Sequence, residues 1–125
     1  MEHSGEHRGR LDLKHGGLIP IVDLARWAGL AAGVASASTI ERVRSAGAAG
    51  VLTEADAHTL GDAFELIGEL RIDHQVSQLR SGAALDDFVD PRALSGLTRT
   101  HLKEAFRAVA AIQRRVAAEL QWGVK

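Results

Sequence analysis

Between Thr53 and the Ser81-Gly82 pair the chain runs without a proline, and this stretch limits the fold more than any other. It opens on Thr53-Glu54-Ala55-Asp56, where a threonine side chain can take a free backbone N–H and the acids face the positive end of a helix. It closes on a glycine, the usual helix stop. The spacing predicts one helix of about 28 residues, ~42 Å long at 1.5 Å per residue. Such a rod must bury a face against a comparable partner. Thr98 to Gln121 supplies one, with Leu102, Phe106, Val109, Ile112, Val116 and Leu120 stepping by three or four. On the first rod Leu60, Phe64, Ile67 and Leu70 form the facing stripe, and Ile72, Val76 and Leu79 extend it onto a neighbouring face. The expected core joins Leu60, Phe64, Ile67, Leu102, Phe106, Val109 and Ile112. The fold class that follows is all-α, a bundle of four to five helices, two of them long. With 21 Ala and 15 Leu in 125 residues the composition agrees, since both residues lose little freedom in a helix.

Shorter elements fill the rest. Arg10-Leu11-Asp12-Leu13-Lys14 alternates polar and apolar, the period of a strand, and no second strand is evident to pair with it. Its sheet is therefore expected outside this chain, with His15-Gly16-Gly17 as a flexible turn. A helix should start near Pro20 and end at Gly33, apolar nearly all round and well buried. Ser38 and Glu41 make a capping box for another, fading at Gly47–Gly50. Asp90-Pro91-Arg92 caps a short turn. Residues 1–9 are expected as a disordered lead-in and 10–122 as one helical domain.

Several function classes fall away. Fifteen Lys+Arg against sixteen Asp+Glu give a net charge of -1, without the basic excess of a nucleic-acid binder. The absence of cysteine removes disulfides, thiolate metal sites and a Cys nucleophile. Leu18 to Val34 is the most hydrophobic stretch, but it contains Asp23 and Arg26 and falls short of the ~18–20 apolar residues of a membrane span. The polar start is not a secretory signal, so the expected address is the cytoplasm. Glu2, His3, Glu6 and His7 lack supporting groups, and no metal site is expected there. No nucleophile elbow, triad signature or P-loop is present, so no catalytic residue is assigned.

Three groups of residues remain as candidates for binding. Arg71, Gln75 and Gln78 lie at i, i+4 and i+7 with His74 beside them, either a row that reads a phosphate or carboxylate and a base or amide edge or a solvated face with His74 at the core border. Asp12 and Lys14 precede Gly16-Gly17, whose backbone could approach a phosphate, or which is an ordinary surface turn. Asp23 and Arg26 are either a local ion pair or groups facing a cleft.

Taken together, Asp12-Leu13-Lys14-His15-Gly16-Gly17-Leu18-Ile19-Pro20-Ile21-Val22-Asp23-Leu24-Ala25-Arg26, the later Arg71-Ile72-Asp73-His74-Gln75-Val76-Ser77-Gln78-Leu79-Arg80-Ser81-Gly82, and Asp90-Pro91-Arg92-Ala93-Leu94-Ser95 form a distinctive set. Over residues 10–122 the chain resembles the nucleotidyltransferase substrate-binding domain of bacterial signalling proteins. There the domain follows a cyclic-nucleotide-binding module, a pair of cystathionine-β-synthase-type (CBS) domains and a nucleotidyltransferase domain. A fainter similarity ties Lys14-x-Gly16-Gly17-Leu18 to the PII uridylyltransferases and glutamine-synthetase adenylyltransferases. Here the glycine run is shorter, and Pro20 stands where those enzymes have an acid.

The resemblance implies that Asp12, Lys14, Gly16 and Gly17 sit where the strand joins the catalytic sheet. It also implies Lys14 on phosphate, with Arg71, His74 and Gln78 on nucleotide or acceptor; Asp23 and Arg26 are kept beside them as substrate-facing candidates. A nucleotidyltransferase needs a Gly-Ser turn followed by an Asp-x-Asp pair to hold its metal, and this chain has none. The expected role is the helical half of an enzyme, an excised fragment or a separate subunit, inactive alone. It holds no cofactor itself, while Mg²⁺ and a nucleoside triphosphate belong to the complete enzyme. The expected partner is a nucleotidyltransferase catalytic domain, in the same polypeptide or a separate subunit, together with CBS and cyclic-nucleotide-binding domains. The acceptor is expected to be a protein, and a homodimer is left open. The rival reading is a helical interaction or dimerisation module with no small-molecule ligand. A ribonuclease motif of the form Arg-x(4–6)-His, found in related bundles, would here fall on Arg8 or Arg10 with His15, in the tail and strand and off any long helix.

Overall fold

A computed structural model describes residues 9–34 and 38–123. The expected lead-in and the Glu2/His3/Glu6/His7 group fall outside the described residues, apart from Gly9. The elements run β1 (Leu11–Asp12), a π-helical turn (Lys14–Leu18), α1 (Ile19–Ala31), α2 (Thr39–Ala48), α3 (Glu54–Ser81), β2 (Phe88–Val89), a 3-10 turn (Pro91–Ala93) and α4 (Gly96–Gly123). The all-α bundle is therefore what the chain forms.

Local chemistry sets the boundaries. Ser38 Oγ accepts the Glu41 N–H at 3.2 Å and Thr53 Oγ1 the Asp56 N–H at 3.0 Å, so both read caps form. Gly82 ends α3 at φ 74°, a left-handed backbone that a side chain would strain. Asp90 caps the 3-10 turn through the Arg92 N–H, 2.9 Å away. Leu60, Ile67, Leu102, Val109 and Ile112 close the core between α3 and α4, with Phe64 and Phe106 half-buried at its edge. Arg115 grips both carboxylate oxygens of Asp56 at 2.9 Å, tying α4 to the first turn of α3. The Leu120 side chain lies outside the described residues. No helix among the described residues is long and apolar enough to cross a membrane.

Four expectations need correction. The first strand does not look outside the chain: β1 pairs antiparallel with β2, Leu11 opposite Val89 and Asp12 opposite Phe88. The partner is only two residues long, too short to show alternation in the sequence. Its neighbour Leu13 is fully buried, and the helical path begins at Lys14, well before Pro20.

Second, His15-Gly16-Gly17 is no flexible turn. Asp12 Oδ1 accepts the N–H groups of Lys14 and His15 at 3.1 and 2.9 Å, Oδ2 lies 3.0 Å from His15 Nδ1, and the Ile19 N–H reaches back to the Lys14 carbonyl. That five-residue reach is the π pattern. Third, Ile72, Val76 and Leu79 do not extend the core. They stand 63, 38 and 65% exposed. Fourth, α1 is not buried all round: Ile21, Leu24, Ala25 and Ala28 are, while Leu30 faces out.

The π turn packs through Gly17. A Cβ there would sit 2.5 Å from Ile67 Cδ1 and 3.0 Å from Phe106 Cε1, whereas the nearest atom to one on Gly16 is 3.7 Å away, on the Phe106 ring. Gly17→Ala should therefore lose about 1–3 kcal/mol by overpacking, and Gly16→Ala should lose little. Urea unfolding of the two variants checks this, and equal stabilities would show that the turn packs otherwise.

Candidate functional site

Between α1 with its π turn and the middle of α3 lies a groove of about 570 Å³. One wall presents Lys14, Leu18, Ile19, Val22, Asp23 and Arg26, and the other Phe64, Gly68, Arg71 and Ile72. The floor is apolar and the rim is charged. Three rim groups are cations and one, Asp23, is an acid that sits 3.6 Å from Arg26, both side chains mostly exposed. Water screens that pair, so it leaves Arg26 largely available. Lys14 is exposed, and its ammonium has no ion-pair partner among the described residues.

Arg71 is held differently. Its Nε donates to Asp87 Oδ1 at 2.6 Å, and Gln75 Nε2 reaches the same oxygen at 3.1 Å. Asp87 is mostly buried and Arg71 is 40% exposed, so the pair is worth on the order of 1 kcal/mol after solvent screening. The two terminal nitrogens of Arg71 make no hydrogen bond among the described residues, and the side chain opens on the groove. The Asp87 carbonyl meanwhile accepts the Leu13 N–H at 2.9 Å, immediately before Lys14.

The rest of the polar row faces the segment before β2. His74 Nε2 lies 2.8 Å from Asp86 Oδ1, the Gln78 side-chain oxygen accepts the Asp86 N–H at 3.0 Å, and Gln75 Nε2 approaches the Asp86 carbonyl at 3.5 Å. The four residues therefore do not act as a single row. Arg71 opens on the groove, while His74 and Gln78 are half-covered by their own chain.

The remaining candidates separate in the same way. Lys14, Asp23, Arg26 and Arg71 come together. Asp12 is occupied in capping the π turn, Gly16 lies against Phe106, and Gly17 is buried, away from any ligand surface. Sequence reasoning missed Asp86 and Asp87. As an adjacent pair they would point oppositely on a strand, but in an irregular segment both turn back to α3. It also missed Phe64 and Gly68 as groove residues. Their signal was present, since both lie one helical turn apart on the face that carries Arg71.

A second groove, about 490 Å³ between α3 and α4, is lined by residues that include Asp62, Glu104 and His101 and none of the sequence candidates. Among the described residues no three His, Asp or Glu side chains gather as a metal site.

Burial pushes the Asp86 carboxyl up, but hydrogen bonds from His74 and the Phe88 N–H outweigh it and hold the group below its ordinary 3.8. A lowered folded value means full stabilisation above 3.8 and loss as pH falls through the lowered value. Asp86→Asn should accordingly be less stable than the parent near neutral pH, with the deficit shrinking in acid below 3.8. Denaturant midpoints measured across that range check it, and a deficit constant down to low pH would contradict it.

The model of the family described as "Putative nucleotidyltransferase substrate binding domain" matches residues 1–120. No curated protein and no solved structure matches the chain. The match spans nearly the whole sequence, β1, the groove and α3 included. The chain belongs to the nucleotidyltransferase substrate-binding domain family.

Proposed function

We propose that this domain closes one side of a nucleotidyltransferase cleft and meets the substrate at the α1–α3 groove. One observation carries the reading. Lys14 and Arg26 from the π turn and α1 meet the sequence-distant Arg71 of α3 on a single apolar-floored groove, the arrangement that suits an anion attached to a less polar body. Lys14 and Arg71 take the anionic part, and Asp23 with Arg26 forms the outer rim. Mg²⁺ and the triphosphate chemistry belong to the catalytic region, since this sequence has no Asp-x-Asp pair and the described residues gather no metal cluster. The domain binds and orients, and alone it transfers nothing. CBS and cyclic-nucleotide-binding modules in the same cytoplasmic signalling protein, and a protein acceptor of the PII kind, complete this reading. The shorter glycine run and Pro20 weigh against strict uridylyltransferase likeness.

A second reading, a docking or dimerisation module, is favoured by the exposed apolar side chains of Ile72, Val76 and Leu79 on α3. Light scattering separates the two, because a dimerisation module is dimeric without ligand.

With the catalytic region present, Arg71→Ala should lower kcat/KM for transfer at least about tenfold while barely moving the melting temperature, since its only hydrogen bond among the described residues is the screened one to Asp87. Asp73→Ala, on an exposed position of the same helix, should leave both unchanged. Equal kinetic losses from the two would remove the groove from the reaction.

A further inference from the structure

Three glycines in the helical stretches of this chain have a steric reason, while a Cβ on Gly61 of α3 would meet only Ile40 Cδ1, at 4.0 Å. A Cβ on Gly29 would meet Arg42 Cγ at 2.8 Å, one on Gly47 would meet Ala57 Cβ at 2.8 Å, and Gly17 abuts Ile67. Gly68 has none: beyond its own helix a Cβ there would meet nothing within 4 Å. It lies fourteen residues into α3, where glycine weakens a helix relative to alanine. Nothing in the fold requires that cost, yet the space it leaves open is the α3 wall of the groove, between Phe64 and Ile72 and one turn before Arg71.

We infer that the groove takes a nucleotide, its flat base lying across Gly68 against Phe64 and its phosphates held by Arg71 and Lys14. The inference rests on the substrate-facing role proposed above and chooses between that role's two ligands, a nucleotide and a protein acceptor. A planar ring can approach helix backbone closely only where no side chain projects, and an aromatic neighbour adds stacking that any base can use. Charge fits the other end. The terminal nitrogens of Arg71 are left for a bidentate grip because Asp87 already occupies Nε, and the Lys14 ammonium adds a point charge from the opposite wall. The Asp23 carboxylate on the rim works against an anion close to Arg26, which places the phosphates toward Lys14 and Arg71.

The test is direct binding of ATP, UTP and inorganic triphosphate, each with Mg²⁺, to the full chain by calorimetry, with melting temperatures recorded in parallel. Gly68→Ala should raise the melting temperature and weaken both nucleotides about threefold or more, opposite signs that a structural glycine cannot give. Gly68→Leu should weaken them at least about tenfold and leave triphosphate binding near the parent value, because triphosphate has no base to exclude. Arg71→Ala should weaken all three ligands. Nucleotide affinity indifferent to Gly68→Leu, or no nucleotide binding by the parent chain, would overturn the inference. The domain's role is judged separately by the Arg71→Ala transfer kinetics. A chain that binds no nucleotide but loses transfer on Arg71→Ala keeps that role and loses the nucleotide.

Discussion

The groove depends on how Asp87 is held. Its side chain fixes Arg71 and Gln75 on α3, and its carbonyl holds the N–H of Leu13, the last residue before the π turn. A single residue therefore sets both walls: the cation on α3 and the start of the turn that bears Lys14. Asp86 strengthens the attachment through His74 and Gln78, and the β1–β2 pairing extends it to Leu11 and Val89. The side-chain contacts among these are individually weak, since they are partly open to water. Their value is geometric. They reach across distant parts of the sequence and leave the segment one position to occupy.

The opposite constraint comes from packing. Gly17 lets the π turn sit on Ile67 and Phe106, so that Lys14 emerges at the mouth of the groove. One side of the turn is thus set by hydrogen bonds to Asp12 and Asp87 and the other by close approach to the core. A π turn is a poor helix by itself, and it persists when its surroundings determine it from both sides.

Much of this was legible in the residues. Caps at Ser38 and Thr53, the stop at Gly82 and the Asp90-Pro91 turn are short-range chemistry, and each forms as its residue types dictate. The α3–α4 core followed from periodicity, because a stripe repeated over many turns averages out local ambiguity. What stayed hidden was short or distant. A two-residue strand has no period, Ile72, Val76 and Leu79 match the core stripe in hydrophobicity but stand exposed, and Asp86-Asp87 acquire their partners only through a tertiary return of the chain. The groove itself was legible in part. Lys14, Asp23, Arg26 and Arg71 were singled out by motif, whereas Gly68 could be understood only once its empty surroundings were seen.

The β1–β2 pairing has a further consequence. It joins segments about 80 positions apart, and what offsets the entropy of closing so long a loop is the burial of Leu11, Leu13 and Val89 along with the few hydrogen bonds. The N-terminal strap and the segment around Asp87 therefore hold each other in place, and releasing either one exposes buried side chains of both. A protease cut near Leu85 would loosen the strap as well as the loop, and Lys14 and Arg71 would lose their placement in one event.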